Sequence, residues 1–132
     1  MPAAGKAPGS TLKLQNRNYG ADQGSMEESR LEFLREAVQA KPNDTFVRYG
    51  LAIELSNLGK HEEAWQHFNY LLTHHPDYSP AYFHAGAFLA KQGRVEEARN
   101  VLAKGIEVAG RQGNLHAQSE LQTALDQLAS KT

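Results

Sequence analysis

From Ser25 onward, apolar residues recur with helical period in one stripe after another. Leu31, Leu34 and Val38 form the first stripe, with Phe33 and Ala37 beside it. Ser25 followed by Glu28 has the form of a capping box. Pro42 closes this helix, because the residue before a proline is pushed out of the α region. Asp44 is placed to cap a second helix running to about Leu58, with Val47, Leu51, Ala52 and Leu55 as its stripe. Gly59 closes it in the left-handed conformation that helix ends favour. A third helix runs from about His61 to His74, with Ala64, Trp65, Phe68, Leu71 and Leu72 apolar, and Pro76 follows. Ser79 caps the fourth, and Pro80 occupies its first position, where a missing N–H costs nothing. Its stripe is Tyr82, Ala85, Gly86 and Leu89, closed by Gly93. The fifth helix, about Val95 to Gly110, presents Ala98, Val101, Leu102 and Ile106. Asn114 caps a sixth, with Leu121, Ala124, Leu125 and Leu128. No segment alternates with period two, and connections of two to five residues force antiparallel neighbours. The expected fold is all-α, with about six helices.

The stripes repeat. Gly59-Lys60-His61-Glu62-Glu63-Ala64 returns as Gly93-Arg94-Val95-Glu96-Glu97-Ala98, each residue 34 positions later. The same offset pairs Tyr49 with Phe83, Ala52 with Gly86, Leu55 with Leu89, Phe68 with Leu102 and Leu72 with Ile106. A unit of this size is one supersecondary element stacked on the next. Small residues at Ala52, Ala64, Gly86 and Ala98 let helices approach closely. Larger ones at Leu51, Leu55, Phe68 and Leu72 fill the gaps between turns.

These residues resemble the tetratricopeptide repeat family. Its unit is a helix pair with small and apolar residues in the first helix and a glycine at that helix's end. An alanine and an aromatic residue follow in the second helix, then a closing proline. From Thr45 that pattern is matched by Leu51, Ala52, Leu55, Gly59, Ala64, Phe68 and Pro76. From Ser79 it is matched by Ala85, Gly86, Leu89, Gly93, Ala98 and Leu102. Full repeats are thus expected over 45–78 and 79–112, within a helical domain over 25–130. Leu34, Ala37 and Pro42 fit a lone second helix of an earlier unit. The sequence departs from the family where Arg48 and Tyr82 stand in place of a frequent tryptophan. Leu71 is large where alanine is usual, and Gly110 replaces the closing proline, which lets the fifth helix run longer. The resemblance implies a right-handed superhelix of antiparallel helix pairs.

Composition narrows the function. The chain has 132 residues, is 40% apolar and 22% charged, and carries a formal net charge of −1. That balance argues against bulk electrostatic binding to nucleic acid or anionic lipid. It contains no cysteine, so no cysteine-based metal or redox site is expected. No membrane span or secretory stretch is evident, and the expected location is cytoplasmic. Residues 1–24 carry scattered Gly and Pro without helical period and read as a flexible tail. Gly24-Ser25-Met26 has the look of an expression-vector junction. Leu12, Leu14 and Tyr19 are the tail residues with which it would dock into the chain's own groove.

Candidate chemistry is sparse. His67 and His74 share a face but lie about 10 Å apart along a helix, too far to share one ion. The six histidines read as solvated surface groups, and neither a metal nor a cofactor is expected. Glu62-Glu63 and Glu96-Glu97 open helices, where acids complement the macrodipole, and no nucleophile motif surrounds a serine. The chain is therefore expected to be no enzyme. Trp65 is expected to pack rather than contact ligand.

What remains is the inner face, which the family resemblance assigns to the first helix of each unit. It implies a groove of Phe46, Tyr49, Ile53, Asn57, Phe83, His84, Ala87 and Lys91, beside Gly50, Ser56, Pro80 and Ala90. Glu120 or Gln118 joins from the last helix, according to its register. Aromatics with few polar groups suit a protein or peptide segment. The carboxylate clamp of chaperone-binding members needs lysine and asparagines where Tyr49, Ile53 and His84 stand, so that subtype is not expected. The alternative is a scaffold that self-associates by stacking its ends. Gln118, Glu120, Gln122, Asp126 and Gln127, read as the outer face of the last helix, resemble a solubilising cap, and the expected state is a monomer.

Overall fold

The computed structural model describes residues 19–131. Among them are six α-helices and no strand: α1 Tyr19–Ala40, α2 Thr45–Asn57, α3 His61–His74, α4 Ser79–Lys91, α5 Val95–Arg111 and α6 Leu115–Lys131. Consecutive helices pack on one another. In addition, α4 packs against α2 and α6, which puts the first helix of each pair on one side of the stack.

The helix ends follow local chemistry. The Asp44 side chain accepts from the backbone N–H of Val47 at 3.1 Å, and Asn114 accepts from Ala117 at 3.0 Å. Gly59, Gly93 and Gly113 have φ of 79°, 79° and 69°, the left-handed turn that a Cβ disfavours. Two expected starts differ. Ser79 is the first helical residue of α4 rather than its cap, and Tyr78 takes the cap position without a side-chain bond. The first helix begins at Tyr19, so Ser25 and Glu28 lie inside it. Extending a helix already nucleated adds one hydrogen bond per residue, and no proline intervenes between Tyr19 and Ser25. Expectations about residues 1–18, including docking of Leu12 and Leu14, lie outside the described residues.

The core is the repeat read in three dimensions. Leu51, Ala52, Leu55, Ala64, Phe68, Ala85, Leu89, Ala98, Leu102 and Leu121 are all buried. Close approach is tight at Gly86, against Leu102, and at Gly105. A Cβ at Gly105 would sit 2.5 Å from Tyr82 Cβ, so α4 and α5 meet on bare backbone. At the equivalent place in the earlier repeat stands Leu71, which is also buried.

Arg48 and Tyr82, the two departures from the family pattern, do one job. The Arg48 guanidinium donates to the Pro42 carbonyl at 2.9 Å, and the Tyr82 hydroxyl donates to the Pro76 carbonyl at 2.7 Å. Each residue ties the loop before its repeat to the first helix. Arg48 also lies over the Tyr70 ring at 3.7 Å and bonds His67 Nδ1 at 3.0 Å. An arginine only donates, so Nδ1 must be the bare nitrogen and His67 is neutral. Burial and then the Arg48 charge hold its pKa below the ordinary value, while Glu63 acts the other way. His67 is thus a half-buried group bonded to Arg48, not the solvated surface histidine that its sequence context implied.

Trp65 packs as expected, lying parallel to Phe88 with Arg94 over its ring. Of the helix-opening acids, Glu63 binds Arg35 through both oxygens at 2.7 and 2.9 Å. That hydrogen bond, with the arginine's charge, lowers its pKa against the effect of burial. The pair fastens α1 to α3.

Candidate functional site

The inner helices α2, α4 and α6 enclose three adjoining hollows, and Phe83 lines all of them. The middle one, about 140 Å³, lies between Tyr49, Phe83, His84, Pro80, Ala117 and Glu120. A second, about 290 Å³, is bounded by Phe83, His116, Glu120, Thr123 and Gln127. The third, about 250 Å³, opens along Phe83, Ala87, Ala90, Lys91 and Gln127. Phe83 stands between the α4 end nearest Tyr49 and the end bearing Lys91. Lys91 lies eight residues on, about 12 Å along the helix axis.

The middle hollow has a fixed aromatic wall. Tyr49 Oη and His84 Nδ1 are 2.8 Å apart, so the two inner helices are linked by a hydrogen bond. The Tyr49 ring meets those of Tyr78 and His84 edge-on, at 5.4 and 5.3 Å between centroids. Such T-shaped contacts hold ring orientation as well as burying area. Burial pushes the Tyr49 phenol's pKa up, and Tyr78 and Glu120 add to the shift. Glu120 itself lines this hollow. It pairs with His116 at 3.3 Å across one helical turn, an ion pair only when that histidine is protonated.

Of the residues expected in the groove, Tyr49, Phe83, His84, Ala87 and Lys91 line the hollows. Phe46, Ile53 and Asn57 do not. Phe46 is 72% exposed, Ile53 packs against the core, and Asn57 is exposed at the end of α2. Hollows form between adjacent inner helices, and among the described residues no inner helix precedes α2. From α6, Glu120 joins the hollows, whereas Gln118 lies against Gly110. Glu120 and Gln127 thus face inward, against the expectation that they cap the outer face.

His116, Ser119, Thr123 and Ala124 were missed, because the expected caps Asp44, Ser79 and Asn114 are evenly spaced. With Tyr78 as the cap of α4, Asn114 lies 36 residues after Tyr78, whereas Tyr78 lies 34 after Asp44. Moving Phe83, His84, Ala87 and Lys91 forward by the longer offset gives Ser119, Glu120, Thr123 and Gln127, all in the second hollow. The extra length lies in α5, which has 17 residues against 14 in α3.

Among the described residues, no cluster of His, Cys, Asp or Glu is arranged to hold a metal. No helix among them is long and apolar enough to cross a membrane. The arrangement offers an aromatic floor with a carboxylate at one end and an ammonium at the other, geometry for recognition.

Stacked antiparallel helix pairs with a lined inner face define a helical-repeat protein. The tetratricopeptide repeat model matches residues 55–125, and the chain belongs to that family, whose fold is generally a protein–protein interaction module. It is similar to a tetratricopeptide repeat domain protein from Salinibacter ruber, with 34% identity and a TM-score of 0.64, over 67% of this chain and 100% of that one. It is 28% identical over 91 residues to the human protein IFIT1 homolog B, covering 69% of this chain. The chain spans about a fifth of that relative, 19% of its length. The fold is shared with PcrH, solved in complex with the chaperone binding region of PopD. There the identity is 16% and the TM-score 0.73, over 86% of each chain; PcrH comes from Pseudomonas aeruginosa.

Proposed function

We propose that this chain is a non-catalytic binding module that captures a segment of a partner protein in its inner groove. The observation that carries this reading is the run of three hollows sharing Phe83, walled by Tyr49 and His84 and ending at Lys91. A rigid aromatic floor supplies contact area at little entropic cost, and a few polar groups set orientation. The same fold in PcrH accompanies a bound region of another protein, which supports a peptide-like ligand here.

The test begins with randomised peptides displayed and selected against the full chain. Binders are then titrated against Tyr49→Ala, Phe83→Ala, Lys91→Ala and the α3 control Gln66→Ala, with helicity checked in each. Aromatic truncation at a central contact is expected to cost on the order of 2 kcal/mol, and loss of the exposed lysine less. Equal affinity in all four folded variants refutes the inner groove.

A second reading, self-association through the end of the stack, has its own observation. Met26 and Phe33 on α1 are 64% and 68% exposed, seven residues apart and so on one face. Light scattering across concentration separates the two: the groove reading expects a constant monomer mass, and end-stacking a mass that rises.

A further inference from the structure

The middle hollow has a chemical bias that the groove reading leaves open. Two of its polar contacts are internal: Tyr49 Oη with His84 Nδ1, and Asn114 Oδ1 with the Ala117 N–H. Beside Ser79, His84 and Asn114, its one carboxylate is that of Glu120, which can only accept hydrogen bonds. Around it stand the half-buried rings of Tyr49 and Phe83. Among the described residues lining the three hollows, Glu120 is the one carboxylate and Lys91 the one ammonium. Lys91 borders a different hollow from Glu120 and does not pair with it. Glu120 pairs with His116, which carries charge only when protonated.

We infer that the hollow between Tyr49, Phe83 and Glu120 receives a lysine or arginine side chain of the partner segment. This rests on the groove reading above. A carboxylate lacking a permanent counter-charge favours a cation and repels an acid. Aromatic rings add cation–π attraction, and they cover the apolar stem of a long basic side chain while its head reaches the carboxylate. The hollow, about 140 Å³, leaves room for such a head group. Lys91, beyond Phe83, discourages a second cation and gives the bound segment a direction.

The test uses the same displayed library on the full chain and on Glu120→Gln and Glu120→Lys. Glu120 is exposed, and its replacement leaves the core untouched. Peptides selected by the parent chain are expected to share a Lys or Arg at fixed spacing from an apolar residue. Replacing that residue with norleucine should weaken binding about tenfold in the parent and leave Glu120→Gln unaffected. Selection on Glu120→Lys should return Asp or Glu at the same place. The cation pocket is overturned, with the groove intact, in either of two cases. Peptides sensitive to Phe83→Ala show no basic enrichment, or their basic residue matters equally in the parent and in Glu120→Gln. If no peptide is enriched, or the enriched ones ignore Phe83→Ala, the groove reading fails and the pocket falls with it.

Discussion

Gly105→Ala and Gly50→Ala are the same chemical change in the middle of two helices, and the structure expects opposite outcomes. At Gly50 the nearest atom to an added Cβ is Leu34 Cδ2, at 4.0 Å, an ordinary contact. The substitution there should express helix propensity alone, a gain of about 0.5–1 kcal/mol. At Gly105 the Cβ would meet Tyr82 Cβ at 2.5 Å and Leu121 Cδ1 at 3.2 Å. The Tyr82 atom sits next to the α4 backbone and cannot swing away. The ring's far end is fixed by its hydroxyl on Pro76. Relief requires α4 and α5 to separate by roughly an ångström, an overpacking cost of about 1–3 kcal/mol. Against a propensity gain near 1 kcal/mol, Gly105→Ala should fall below the parent or at best match it. It should lie about 1–3 kcal/mol below Gly50→Ala. Urea unfolding followed by circular dichroism measures both, with equal slopes required so that midpoints compare stability. If Gly105→Ala is as stable as Gly50→Ala, the α4–α5 approach is looser than described, and the small-residue logic of the stack fails there.

Ala98 is fully buried where α5 meets its neighbours, so Ala98→Leu should lose roughly 1–3 kcal/mol in the same assay; unchanged melting would place Ala98 off the contact. His67 predicts a pH dependence. Its folded pKa lies below the ordinary 6.5 because burial and Arg48 disfavour the charged form, so the unfolded chain binds the proton more readily. Stability should hold above pH 6.5 and decline as the pH falls from there toward the depressed folded value. His67→Gln should flatten that decline, and an equally steep decline in the variant would assign it to another group.

Much of this was legible before any coordinates. Helix positions, the glycine stops at Gly59 and Gly93, and the buried alanines follow from periodicity, which is a property of one helix at a time. What sequence could not supply was contact between helices. Arg48 reads as a charged departure from a pattern. That it reaches Pro42, Tyr70 and His67 together depends on the distance between α2 and α3. The Tyr49–His84 bond likewise depends on the step between α2 and α4. Phe46, Ile53 and Asn57 have the right phase for the inner face, but phase alone does not provide the opposite wall. The two-residue shift of α6 was hidden because the caps read from sequence, Asp44, Ser79 and Asn114, are evenly spaced, and it shows only once Tyr78 takes the cap of α4.

The packing order has a consequence for how the molecule comes apart. Among the described residues α1 packs along α2 and is tied to α3 by the Arg35–Glu63 pair, while α4 touches α2, α3, α5 and α6. In a one-dimensional stack, opening starts where fewest interfaces are lost. The ends should therefore fray first, and amides of α4 should exchange with solvent last. Phe83 sits on the most persistent helix, whereas Glu120 sits on a terminal one. The wall bearing the carboxylate can then open and close while the aromatic floor stays in place. Any segment lying across both would bridge the stack's most and least durable parts, and its arrival should be felt chiefly as slowed exchange in α6.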